Sequence, residues 1–167
     1  MSNSKLQITN WKSGYTLIEI LVALTVLGLL FGFGFVSFRD FSRRQALQGA
    51  VQSVQGDLRL AQGDALSGEK PSACSADLNG YSFQVVSASE YKLLANCGVS
   101  PILVKDVVLP SGIIISTPTV NPIMFKTLGQ GTNIPASNVP ASTTITLTQQ
   151  NTTNSATVTV TIGGQIQ

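Results

Sequence analysis

Hydrophobic and polar positions divide the chain into three regimes. Residues 20–38 carry no charge and are almost wholly apolar, bounded by Glu19 and Arg39. Wound as a helix at ~1.5 Å per residue, that run spans ~28 Å, close to the ~30 Å of a bilayer's hydrocarbon core. From 39 to 66 the apolar residues Leu47, Val51, Val54, Leu58, Ala61 and Ala65 recur at steps of four and three. That spacing predicts an amphipathic continuation of the helix, with one stripe against a core. Ser67-Gly68 and then Pro71 give a stop signal, with Gly68 able to take a left-handed cap.

Beyond residue 68 the period shortens to two. Residues 81–86 and 91–95 flank the polar Ser87-Ala88-Ser89-Glu90, which reads as a hairpin. Further strands are predicted at 102–109 and 112–116, separated by the turn signal Pro110-Ser111-Gly112, and at 123–128. Residues 129–142 read as an exposed loop. The last pair, 144–148 and 157–162, alternates threonine with aliphatic residues, which buries one face and leaves a threonine face outside. The fold class is therefore α+β. A long N-terminal helix, membrane-spanning in its first half and amphipathic in its second, packs on a C-terminal antiparallel β domain. The expected divisions are a leader at 1–14, the apolar helix at 15–38, its continuation at 39–67 and the β domain at 68–167.

Composition removes several function classes. Charged residues make up 11% of the 167 and histidine is absent, which removes the commonest general base and metal ligand. No G-x-S-x-G, P-loop or dinucleotide fingerprint occurs, and the acids Asp57, Asp64, Asp77, Glu90 and Asp106 are scattered. No catalytic residues, metal site or cofactor are expected, and the chain does not read as an enzyme. Lys5 and Lys12 in the leader hold that end in the cytoplasm by the positive-inside rule. The rest of the chain then lies outside the inner membrane. Without those two lysines the remaining basic and acidic residues balance, so bulk charge points to neither nucleic acid nor an anionic surface.

Cys74 and Cys97, the only cysteines, both lie on the exported side of the apolar run. An even count in an oxidising compartment points to a disulfide. Closing a loop of about 24 residues would contribute about 3 kcal/mol in the chain-entropy account. Gly28 and Gly32 form G-x-x-x-G, a close-packing face for another helix in lipid. Gly49, Gly56 and Gly63 recur at seven, roughly opposite the apolar stripe. They read either as tolerated glycines on a solvated face or as a flat strip for neighbouring helices.

Glu19 sits one turn into an otherwise apolar helix, where a charge costs ~2.5–3.5 kcal/mol at the bilayer centre and less near its edge. An ordinary anchor does not explain it, and a signal peptide would show a shorter core followed by a small-residue cleavage site. Gly14 followed by Tyr-Thr-Leu-Ile-Glu-Ile-Leu-Val-Ala-Leu resembles the processing motif of type IV prepilins and of the pseudopilins of type II secretion. The resemblance implies cleavage by prepilin peptidase after Gly14 and methylation of the new terminal amine on Tyr15, where phenylalanine is usual. It also implies that Glu19 pairs with a neighbouring subunit's terminal ammonium during assembly, which would offset the cost of either charge alone in a low-dielectric setting.

Residues 58–65, Leu-Arg-Leu-Ala-Gln-Gly-Asp-Ala, are similar to the L-R-x-A-R-x-x-A pattern of the GspH/FimT group of minor pseudopilins and minor pilins. The final strand and Gly163-Gly164 resemble that group's chain end. The implied partners are prepilin peptidase, other pilin or pseudopilin subunits and the inner membrane, from which the chain passes into an extracytoplasmic filament, near its tip. Some pilus members of the group bind DNA through arginines near the C-terminus. Here the tail has none, and phosphate contacts need Lys or Arg, so nucleic acid is not an expected partner. Two alternatives stay open: a DNA-binding minor pilin for DNA uptake, and a membrane-anchored β-domain protein outside any filament.

Overall fold

The computed structural model describes residues 14–137 and 141–167, without the side chains of 33–40. Most of the expected leader, 1–13, lies outside the described residues. The chain divides into two compact units, Met1–Asp40 and Phe41–Gln167.

Helix α1 is assigned over Leu17–Ser67. Thr16 starts it by accepting twice: the Glu19 N–H donates to its Oγ1 at 3.3 Å and the Ile20 N–H to its carbonyl at 3.2 Å. The helix ends at Gly68, whose φ of 66° is in the left-handed region. Gly68 N–H donates to the Ala65 carbonyl and Glu69 N–H to the Asp64 carbonyl, the paired closure of a Schellman motif. Among the described residues no helix is long and apolar enough to cross a membrane. The uncharged run is described with its side chains only from Ile20 to Gly32, a stretch that covers about 20 Å of helical rise.

Seven strands follow among the described residues. Leu78–Ser87 (β1), Glu90–Cys97 (β2), Ser100–Val108 (β3) and Ile123–Lys126 (β5) form an antiparallel sheet in the order β3-β2-β1-β5. Ile113–Ile115 (β4), Ser142–Gln149 (β6) and Ser155–Thr161 (β7) form a second, ordered β4-β6-β7. The β1–β2 turn is shorter than the polar tetrapeptide suggested, because Ser87 and Glu90 already pair. Opposite Leu93 and Leu94, β3 holds Lys105 and Leu103, so Val104 is an extra, bulged residue.

The expected exposed loop at 129–142 is corrected in part. Thr132 pairs with Phe125 of β5, and its N–H donates to the Ile162 carbonyl just past β7. One residue thus links the two sheets, and Thr132 and Ile134 are buried in doing so. The C-terminal tail also pairs: Gln167 and Thr159 exchange backbone hydrogen bonds beside β7.

Within the unit 41–167, alternation sorts the strands' side chains. Tyr81, Phe83 and Val85 of β1, Tyr91, Leu93 and Ala95 of β2, and Ile123 and Phe125 of β5 point inward. Ile145, Leu147, Val158 and Val160 do the same for the second sheet. All join one core with Leu47, Val51, Val54, Leu58, Ala61 and Ala65 of α1. Val54 and Leu58 are fully buried, and each such side chain contributes about 1.5–3 kcal/mol through burial.

Candidate functional site

The first turn of α1 carries the residues singled out by sequence. Tyr15 is 78% exposed, and Gly14 and Glu19 are exposed as well. Thr16-Leu-Ile-Glu19 has the spacing of a capping box, in which an acid at the third helical position also favours the positive helix end. Only the Thr16 half of that box is formed, through the Glu19 backbone N–H. The Glu19 carboxylate accepts no hydrogen bond among the described residues, since only the backbone N–H takes part in the cap. Tyr15, Glu19, Ala23 and Leu24 line one shallow hollow along this face.

The five helix glycines share one property. At Gly28, Gly32, Gly49, Gly56 and Gly63 an added Cβ would meet no heavy atom within 4 Å beyond the helix's own nearby backbone. No contact inside the described chain requires glycine at these places.

The cysteines form the Cys74–Cys97 disulfide, with Cα atoms 5.7 Å apart. It ties the segment after α1 to the end of β2, and Gly98 turns the chain immediately afterwards with φ 63°.

A polar cluster without a sequence signal joins α1 to β2 and β3 within the 41–167 unit. Asp57 of α1 is 5% exposed. Its Oδ2 accepts from the Tyr91 phenol at 2.8 Å and its Oδ1 from the Lys105 ammonium at 2.6 Å. Ser53 Oγ lies 3.3 Å from the same phenol, and Phe83 stacks on Tyr91 with centroids 4.8 Å apart. Burial pushes the Tyr91 phenol well above its ordinary range, with the Asp57 carboxylate adding to the rise. Asp57 falls one residue before Leu58 on the helix, while its partners lie 34 and 48 positions later, so no local pattern could reveal it. The cluster holds a helix to two strands. It shows no nucleophile–base pair, and among the described residues no group of His, Cys, Asp and Glu could hold a metal.

Further along α1, the Asp64 carboxyl is raised above the usual carboxylate value, first by partial burial and then by Glu69. On β2, Lys92 bonds Glu90 at 3.0 Å and Asp106 at 3.2 Å. Asn121 is a second residue without a sequence signal. Its side-chain oxygen accepts from the Val85 N–H at 2.9 Å and its amide donates to the Val85 carbonyl at 2.8 Å.

Comparison with known families places both halves of the chain. The family model of the prokaryotic N-terminal methylation motif matches residues 12–35. The family model of the type II transport protein GspH matches residues 50–164. No curated protein and no solved structure matches.

Proposed function

The chain belongs to the GspH family of type II transport proteins, and from that premise we propose that it is a minor, structural subunit of a pseudopilus or type IV pilus. The observation that carries the reading is the pairing of an N-terminal methylation motif with a GspH domain in one polypeptide. A pilin-like subunit of this class associates with other pilins and is processed through that motif. The finer assignments extend the same reading. Prepilin peptidase cuts after Gly14 and methylates Tyr15. Residues 20–38 then anchor the subunit in the inner membrane, with the β domain outside the cytoplasm, until it enters a filament near the tip. Glu19 receives a neighbour's terminal ammonium, which its unengaged carboxylate supports. Gly28 and Gly32, then Gly49, Gly56 and Gly63, form open strips where neighbouring helices approach.

Intact mass of the protein from cells with and without prepilin peptidase tests the processing. Loss of residues 1–14 and gain of one methyl only in the peptidase-positive cells is expected. An unprocessed chain in both would refute the filament reading and favour a simple anchored β-domain protein. Deletion of the gene, scored for secreted proteins and for surface pili, then decides between a secretion pseudopilus and a pilus. Replacing Gly49, Gly56 and Gly63 together with glutamine should block assembly, and normal assembly would discard the strip.

A further inference from the structure

Where α1 ends, a cleft of about 220 Å³ opens among three segments of the 41–167 unit. Gln62 and Leu66 come from α1, Phe125 and Lys126 from β5, and Gly163 and Gly164 from the turn after β7. Gln62 is committed to the wall, since its Nε2 donates to the Gly164 carbonyl at 3.0 Å. Gly164 keeps the space open: with φ at 87°, an added Cβ would stand 3.2 Å from Gln62 Nε2 and 3.7 Å from the Phe125 ring. Two apolar side chains beside the cleft lie in water. Leu66 is 53% exposed. Leu128, next to the lining residue Gly129, is 75% exposed and sits in the left-handed region at φ 55°, ψ 32°. That conformation is uncommon for leucine, and strain kept to present an apolar side chain to solvent points to a partner that covers it.

We propose that this cleft receives an apolar side chain flanked by a carboxylate, presented by a different pilin-like subunit. Size and charge narrow the occupant. The volume falls below the roughly 300–1,000 Å³ of small-molecule sites, which suits one anchoring side chain better. Lys126 carries the only charge in the lining. Arg59 lies one turn before Gln62 and two before Leu66 on the same side of α1. Neither cation makes an ion pair among the described residues, so an acid beside the anchor would meet complementary charge on both flanks. A nucleic acid backbone would need a longer track of cations and has no aliphatic side chain to fill the cleft. A second copy fits poorly. Outside the cleft's own rim, the exposed large apolar residues nearest in sequence to an acid of the same 41–167 unit are Val104 and Val108. The acid between them, Asp106, is already held by Lys92 at 3.2 Å. This step rests on the filament subunit proposed above, and it gives that subunit a reason to stand beside others rather than beside itself.

The test places the photo-crosslinker p-benzoylphenylalanine at Gln130, between the lining residues Gly129 and Gly131, in the full chain expressed in its native cells. Irradiation should join it to another pilin-like subunit, through a peptide that carries an apolar residue next to Asp or Glu. Lys126→Glu and Leu66→Gln should each cut that adduct about tenfold at unchanged protein level. Lys70→Glu, the same charge change outside the cleft, should stay within twofold of wild type. Exchanging the partner's acid for lysine should restore the adduct of Lys126→Glu. An adduct with a second copy alone would overturn the proposal. So would equal losses in the Lys126 and Lys70 variants, which reduce the effect to surface charge. Retention of a short DNA duplex by the purified chain, abolished by Lys126→Glu, would also overturn it and make nucleic acid the ligand. Intact mass from the same cells reports on the filament reading separately. A processed chain without an adduct refutes only the cleft, whereas an unprocessed chain refutes the filament subunit itself.

Discussion

Removing the cation from the Asp57–Lys105 pair should harm the protein more than removing the anion, although Lys105 is the more exposed partner. The Lys105 side chain is 46% exposed and that of Asp57 only 7%. Lys105→Met leaves a buried carboxylate with a single phenol donor. Breaking a buried pair in this sense costs about 3–5 kcal/mol, and the exposure of the lysine places the expectation near 3. Asp57→Asn keeps the shape and the acceptor for Tyr91 and lets the ammonium turn to water. It loses the charge-assisted part of two hydrogen bonds, about 1–2 kcal/mol net. The double variant should cost about 2 kcal/mol, well below the sum, because it no longer strands a charge. For a unit of this size 1 kcal/mol corresponds to about 3–5 °C. Lys105→Met should therefore melt about 10 °C below wild type and Asp57→Asn about 5 °C below. The assay is urea and thermal unfolding of residues 41–167 with the disulfide oxidised, followed by circular dichroism. A smaller loss for Lys105→Met than for Asp57→Asn, or simple additivity in the double variant, would refute the reasoning.

Three further outcomes are expected. The folded-state value of Asp64 is raised, so the stability it contributes is present below its unfolded value of 3.8 and lost as pH rises through the folded one. Asp64→Asn should accordingly raise the melting temperature slightly at pH 7 and leave it unchanged at pH 3, and a loss at pH 7 would contradict the sign. Asn121→Ala removes both bonds to the Val85 backbone and should cost about 1–2 kcal/mol in urea unfolding; no measurable change would mean that water replaces the amide without loss. Replacing Cys74 and Cys97 together with serine should cost about 3 kcal/mol, read as the same loss on reducing the wild type, and unequal losses would point to packing effects of the serines.

The strands were legible because alternation reports directly on a sheet with one buried face. Thr144 to Thr148 and Thr157 to Thr161 show the pattern most clearly, with Ile145, Leu147, Val158 and Val160 buried. The helix stripe was legible for the same reason, since Leu47 through Ala65 keep helical spacing and all reach the core. Residues whose partners are remote in sequence were not. Asp57 looked like one more scattered acid until Tyr91 and Lys105 were placed beside it, and Asn121 like one more loop residue until it met Val85. Thr132 was hidden in another way: its Gly- and Pro-rich surroundings carry the signature of an exposed loop, and only the packing of two sheets made it a link. Glu19 was read for its cost in lipid, while the hydroxyl three residues before it supplied a cap. The Thr-x-x-Glu spacing signals that cap in the sequence itself.

The unpaired margin of β3 gives the Asp57–Lys105 contact a second consequence. Among the described strands β3 has a neighbour on one side only, and it exposes Leu103, Val104 and Val108. Such a margin invites another chain to add a strand, a route to aggregation. Pro101 withholds a donor near one end and the Val104 bulge breaks the repeat midway. Lys105 follows, its charge turned toward the core and held there by Asp57. An incoming strand would have to cover that ammonium, so the carboxylate that ties the helix to the sheet also keeps the sheet closed to strangers.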